Sequence, residues 1–241
     1  MNRERWRQRA QRASDAFGLV LLLVLLTYVL ASVMSNRGWS AVLLTTITGA
    51  TSVVALTSSH ARPTFVRRAL GLALLAIAFA AVEAITGGRP WLSAANFIEI
   101  VLLAVAMAAV LRRVVTSGSV SSRTILGAIS VYVSLGLLFT WAYNLIDRIE
   151  GGGFFGEGVA TKGSDFLFFS YTTLTTTGYG DLVPVGQVGR MVSGLEMMFG
   201  QIFLVTLVAG LVSLWRPGEG ILRRRAARGG GEAPGEAPAP R

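Results

Sequence analysis

Residues 16–34 form a run of 19 without a single charged side chain, and comparable runs recur along the rest of the chain. An α-helix rises about 1.5 Å per residue, so roughly 20 such residues reach across the hydrocarbon core of a bilayer. A soluble core could also absorb apolar helices. Composition decides between the two: 52% of the 241 residues are hydrophobic and the mean hydropathy is +0.58, which is membrane composition. The run at 16–34 follows Arg3, Arg5, Arg7, Arg9 and Arg12 and is longer than the apolar stretch of a secretory leader, so the sequence predicts a retained first span.

Five more spans are expected. The second covers residues 39–59 and carries a stripe of small and hydroxylated residues, Thr45, Thr48, Gly49 and Ser52, suited to close helix approach. The third covers 69–86 and turns back at Gly87, Gly88, Arg89 and Pro90. The fourth is short in pattern, with only 12 residues between Glu99 and Arg112, and crosses only if Glu99 lies within the outer half of the membrane. The fifth covers 124–146, with Trp141 and Tyr143 read as an interfacial aromatic belt, and the sixth covers 190–215.

The basic residues set the orientation. With six crossings, seventeen of the 22 Lys and Arg fall on the side of the termini and five on the other, so both termini are expected in the cytoplasm of a plasma-membrane protein. This distribution also accounts for the net charge of +9 without nucleic acid as a partner; lipid is the expected surroundings. The absence of cysteine excludes disulfides, thiolate metal sites and cysteine nucleophiles. His60, the single histidine, reads as an ordinary solvated side chain.

Between the fifth and sixth spans lies the stretch Thr175 to Asp181, T-T-T-G-Y-G-D. Glycines on either side of Tyr179 let the backbone turn successive carbonyls to one side and present a row of oxygens to a cation. A glycine-rich loop, 147–163, precedes it and reads as flexible. A short helix at 164–175, with Ser164 and Asp165 as its N-terminal cap, then leads into it, too short to cross a bilayer. Pro184 delays the next helix.

The string, with an aromatic amphipathic helix before it and an apolar helix after it, resembles the signature of tetrameric potassium channels of the pore-loop superfamily. That resemblance implies an all-α membrane protein with six transmembrane helices, a re-entrant pore helix and a selectivity filter, assembled as a homotetramer with three further subunits. It implies K⁺ ions held by Thr176, Thr177, Gly178, Tyr179 and Gly180, with Asp181 at the outer mouth, and no organic cofactor or enzymatic activity. Family members often brace that acid from the pore helix with Trp or Glu; Phe168 and Thr172 stand at those places here. The fourth span lacks the regular arginines of voltage-sensing relatives, so weak voltage dependence is expected. A regulatory subunit or a pore-loop potassium transporter is the alternative; the latter places four degenerate repeats in one long chain.

The implied organisation is a basic segment at 1–15, a four-helix unit at 16–115, a pore unit at 116–215 with its filter at 176–180, and a disordered tail at 216–241, too short for a nucleotide- or Ca²⁺-binding domain. Gly200, 20 positions after Gly180, matches the family's hinge glycine or serves close packing. Gln201, Leu204, Val208 and Val212 share one helical face, assigned to the cavity and gate. Glu196, 140° around the helix from Gln201, should point back toward Thr172 and Thr173 as a buried brace and candidate proton sensor. Glu83 and Glu99 pair with Arg89 or reach water, or else form a proton or cation site; neither they nor Glu196 have the partners of a catalytic cluster.

Overall fold

The structure of the protein, a computed structural model, describes residues 17–34, 38–87, 89–116, 122–156 and 161–214. The segments 1–15 and 216–241 anticipated at the two ends therefore lie outside the described residues. The described residues form seven helices, α1 (Phe17–Val33), α2 (Trp39–Ser58), α3 (Pro63–Thr86), α4 (Arg89–Thr116), α5 (Ser122–Ile149), α6 (Gly163–Leu174) and α7 (Gln187–Leu214), and no strand. Five of them, α2 to α5 and α7, are long and apolar enough to cross a membrane; α1 is apolar but has 17 residues.

Local chemistry explains where the helices start and stop. α3 begins at Pro63, six residues before the apolar run, because a proline at the first helical position gives up only an N–H that would be unpaired anyway. It ends where Gly87 adopts φ 67° and returns its N–H to the Glu83 carbonyl at 2.7 Å. The fourth span, so short in pattern, is the 28-residue α4, which runs through Glu99 without a break. Charge spacing understates this helix because Glu99 is buried against other helices instead of marking an end.

The first four helices pack through small side chains. Ala69, Ala73, Ala76 and Ala80 form a buried stripe on α3, while Leu70, Leu72, Leu74 and Leu75 stay exposed on its outer side. A Cβ on Gly49 of α2 would stand 3.1 Å from the Ala73 Cβ, so these two helices approach almost backbone to backbone. α1 packs on α2 and also on α5 and α6, where Tyr28 meets Tyr171 edge-on at 4.9 Å.

α5, α6 and α7 form the second unit. Gly136 of α5 is required there: a Cβ would fall 2.7 Å from the Tyr171 ring, whose hydroxyl donates to the Val133 carbonyl at 2.6 Å. Two expectations are corrected in this region. Trp141 and Tyr143, anticipated at the membrane surface, are fully buried. The described part of the glycine-rich loop is also packed. Gly151, Gly152 and Gly153 take positive φ to reverse the chain, and Phe154 and Phe155 then insert into a cluster with Tyr143, Phe166 and Phe169. Phe154 is tied at both ends, its N–H to Asp147 Oδ1 at 3.1 Å and its carbonyl to the Val185 N–H at 3.0 Å. Aromatic burial outweighs the chain entropy that the glycines bring.

Candidate functional site

The 12-residue α6 cannot cross a membrane; it stops at Leu174 and delivers the chain to the Thr175–Asp181 stretch. Its start differs from the expected cap. Lys162 occupies the cap position, and Asp165, three residues in, accepts the Lys162 N–H at 2.8 Å. The acid thus closes the first turn and lies where the positive end of the helix dipole favours it.

Beyond α6 the backbone alternates. Thr176, Gly178 and Gly180 have φ of 57°, 52° and 82°, the left-handed region, and none of the intervening residues has a positive φ. The N–H groups of Thr177 and Gly178 both turn back onto the Thr172 carbonyl, at 2.8 and 3.1 Å. Alternation of hand at every second residue is the geometry that lets consecutive carbonyls face one direction. Glycine meets this cheaply at 178 and 180. At 176 a threonine does so, at a cost of about 1–2 kcal/mol, and the spacing of the glycines gave no sign of it.

The stretch is held from behind. Phe168 stacks on the Tyr179 ring at 5.7 Å and 9°, so the aromatic at the place of the absent tryptophan supports the tyrosine by stacking. Thr175 Oγ1 and Thr177 Oγ1 are hydrogen-bonded at 2.9 Å. Gly200 of α7 lies directly under the end of α6: a Cβ there would be 2.7 Å from the Leu174 carbonyl oxygen and 2.8 Å from Leu174 Cδ1. Close packing is the reading of Gly200 that this contact supports, and α7 continues through the position.

Glu196 is completely buried, as anticipated, but its partners are other than Thr172 and Thr173. Oε1 pairs with the Ser170 hydroxyl at 2.5 Å and Oε2 accepts the Tyr143 hydroxyl at 2.6 Å. Ser170 Oγ also lies 2.8 Å from the Gly136 carbonyl. The carboxyl therefore ties α7 to α6 and α5 at one point. Thr172 instead uses its hydroxyl on the Phe169 carbonyl at 3.0 Å. Ser170 and Tyr143 escaped the sequence reading because one is a small residue on an aromatic helix and the other had an interfacial explanation.

The other described residues assigned to the pore lie on the open surface of the chain. Gln201, Leu204 and Val208 are exposed, as are Tyr179 and Asp181, and Gln201 Nε2 reaches Thr176 Oγ1 at 3.4 Å. Val212 lies on α7, where its side chain is outside the described residues. No group of three or more His, Asp or Glu side chains gathers among the described residues to hold a multivalent metal.

Comparison with known proteins falls on this half of the chain. Residues 127–216 match a family model described as "Ion channel". The match begins in α5 and continues through α7. Two curated relatives are similar over shorter stretches. "Probable potassium channel protein 2" of Methanocaldococcus jannaschii is 35% identical over 83 residues, 33% of this chain and 21% of the relative. "Calcium-gated potassium channel TvoK" of Thermoplasma volcanium is 49% identical over 43 residues, 18% of this chain and 12% of the relative. This chain thus spans less than a quarter of either relative's length. No solved structure matches it significantly.

Proposed function

We propose that this chain is one subunit of a potassium-selective channel that conducts K⁺ passively, with Thr176, Thr177, Gly178, Tyr179 and Gly180 as the filter. The observation that carries the proposal is the alternating backbone of residues 176–180, with the Thr177 and Gly178 N–H groups turned to Thr172. Carbonyls facing away from those amides replace the hydration shell of a dehydrated cation. One such segment cannot surround an ion, so four subunits place four copies around an axis, most simply as a homotetramer. The exposed apolar face of α7 is the surface that such an assembly and the lipid would cover.

In this reading Asp181 stands at the outer mouth, and Gln201, Leu204, Val208 and Val212 line the cavity and its inner constriction. Six crossings place both termini in the cytoplasm of the plasma membrane. Glu196 braces the filter through Ser170 and serves as its proton sensor. The site has partners for both forms: with the carboxyl ionised, Ser170 and Tyr143 donate to it, and with it protonated, it donates to Ser170, which turns its own proton to the Gly136 carbonyl.

The test is ⁸⁶Rb⁺ uptake into liposomes holding the purified full-length protein, with Na⁺ as competitor. Wild type takes up Rb⁺ and K⁺ competes with it where Na⁺ does not. Uptake no greater than in empty liposomes, or equal competition by Na⁺, overturns the proposal. Cross-linking to a species other than four subunits overturns the assembly.

A further inference from the structure

A second polar site lies in the first four helices, in the seam where α2 packs on α4. Thr45, Thr48 and Ser52 recur at spacings of three and four on α2, which puts their side chains on one face, and all three are buried. Opposite them Asn96 and Glu99 of α4, three apart, are also buried. Thr45 hydrogen-bonds to the Glu99 carboxyl and so fixes which levels of the two helices meet.

Four atoms of this cluster have no hydrogen-bond partner among the described residues: Thr48 Oγ1, Ser52 Oγ, Asn96 Nδ2 and Glu99 Oε1. A hydroxyl on a helix normally has a local remedy, the carbonyl one turn earlier. Thr46 and Thr51 of the same helix use it, each at 2.7 Å. Thr48 and Ser52 do not, although both are buried on the face that carries Thr45. At one end of the seam Ser52 lines a small, mostly apolar cavity between α1, α2, α4 and α5, walled by Val20, Leu103, Met107 and Val131 with Ser134 beside them.

The chemistry of the four atoms identifies the occupant. A bare cation satisfies Glu99 Oε1 and the hydroxyl lone pairs but offers nothing to the Asn96 N–H or the hydroxyl protons. Water accepts and donates, and internal water commonly makes about three such bonds to buried groups. An ionised carboxylate in a dry interior is costly without a counter-ion, so Glu99 needs water or a proton.

The surrounding charges leave that role to it. α2 has no ionisable residue. α3 contributes Arg67 and Arg68 near its start and Glu83 near its outer end. α5 contributes Tyr132, which bonds to the Leu174 carbonyl, Tyr143, which bonds to Glu196, and Asp147 and Arg148 at its outer end. On α4 itself Arg112 lies 13 residues further on, about 20 Å along the helix.

We propose that the α2–α4 seam holds a short file of internal water ending on Glu99, and that Glu99 is a proton-exchanging site distinct from the filter and from Glu196. Thr48 and Ser52 relay between this acid and the cavity at Ser52. The site is independent of ion conduction, so its test does not use flux.

The experiment is pH-difference infrared spectroscopy of the full-length protein in lipid nanodiscs, in H₂O and D₂O. Wild type should show a carboxyl band that titrates and shifts promptly in D₂O. Glu99→Gln should lose that band and Glu196→Gln should keep it. A double variant, Thr48→Val with Ser52→Ala, should keep it but exchange measurably more slowly. Because a band from Glu196 can remain in any case, the decisive result is the difference: titrating bands in Glu99→Gln identical to those of wild type overturn the proton site. Unchanged exchange in the double variant, which alters no charge, overturns the water file.

Discussion

Gly178 and Gly200 are both glycines that cannot be enlarged, for different physical reasons, and single substitutions separate them. A Cβ on Gly178 meets nothing within 4 Å, so the obstacle is its φ of 52° alone. Gly178→Ala should therefore leave the fold and assembly intact while the strain of about 1–2 kcal/mol per residue turns the carbonyls out of line. Rb⁺ uptake should fall to background, with an unchanged size-exclusion profile; equal uptake by variant and wild type would sink the filter assignment. Gly200→Ala instead collides with the Leu174 carbonyl, and overpacking of that kind costs about 1–3 kcal/mol. It should lower the thermal midpoint of the whole assembly, and an unchanged midpoint would show that α7 is not pressed against α6. Glu196→Gln tests the brace: the amide keeps the shape but removes the proton exchange. If Glu196 is the sensor, K⁺ flux that responds to pH in wild type becomes insensitive in this variant, and a retained pH response removes that role.

The helices divide sharply between what was legible and what was not. The hydrophobic runs revealed α1, α2, α5 and α7, since lipid-facing surface needs length and the absence of charge and nothing more. α4 was understated because an interior acid looks, in sequence, like a helix end. The unusual backbone of the Thr175–Asp181 stretch was legible through its glycines, while the left-handed Thr176 was not, because it goes with the turn of its N–H to the Thr173 carbonyl and with the approach of Gln201 from α7, which the glycine spacing does not show. Glu196 could be placed on the buried side of its helix from 100° per residue, but its partners on α5 and α6 depend on how three helices cross. The packed loop at Phe154 was hidden for the same reason. Asp165 shows how little must change to test an element: it closes the first turn of α6 by accepting the Lys162 N–H. Asp165→Ala should cost about 0.5–2 kcal/mol, as for other lost caps, and lower the thermal midpoint, whereas Asp165→Asn, which can still accept that bond, should recover most of the loss. Equal midpoints for the two variants would mean that charge at the helix end, and not the bond, is what Asp165 supplies.

At the scale of the whole molecule, the proposed pore is coupled to four helices that carry almost no charge through the membrane. Steep voltage gating needs roughly 3 to 4 elementary charges per subunit moving through the field, each worth about 2.3 kcal/mol per 100 mV. α4 has its arginines at Arg89, Arg112 and Arg113, the helix ends, and between Arg89 and Arg112 its one ionisable residue is Glu99. Glu99 is locked in the seam against Thr45, so even its single charge has no path along the helix axis. α1 reinforces the point: it packs on α5 and on α6, where Tyr28 meets Tyr171, so the first four helices are attached to the proposed pore unit at the helix that leads into the proposed filter. Rigid attachment without mobile charge predicts a pore whose conductance changes little with voltage. Single-channel recording in planar bilayers measures this directly. Open probability should vary by less than about tenfold over 100 mV, the change that 1.4 kcal/mol, well under one full gating charge, produces. A tenfold change within about 10 mV would require gating charge that neither α4 nor any other described helix carries through its span, and would show that voltage acts on this protein through some other part of the chain.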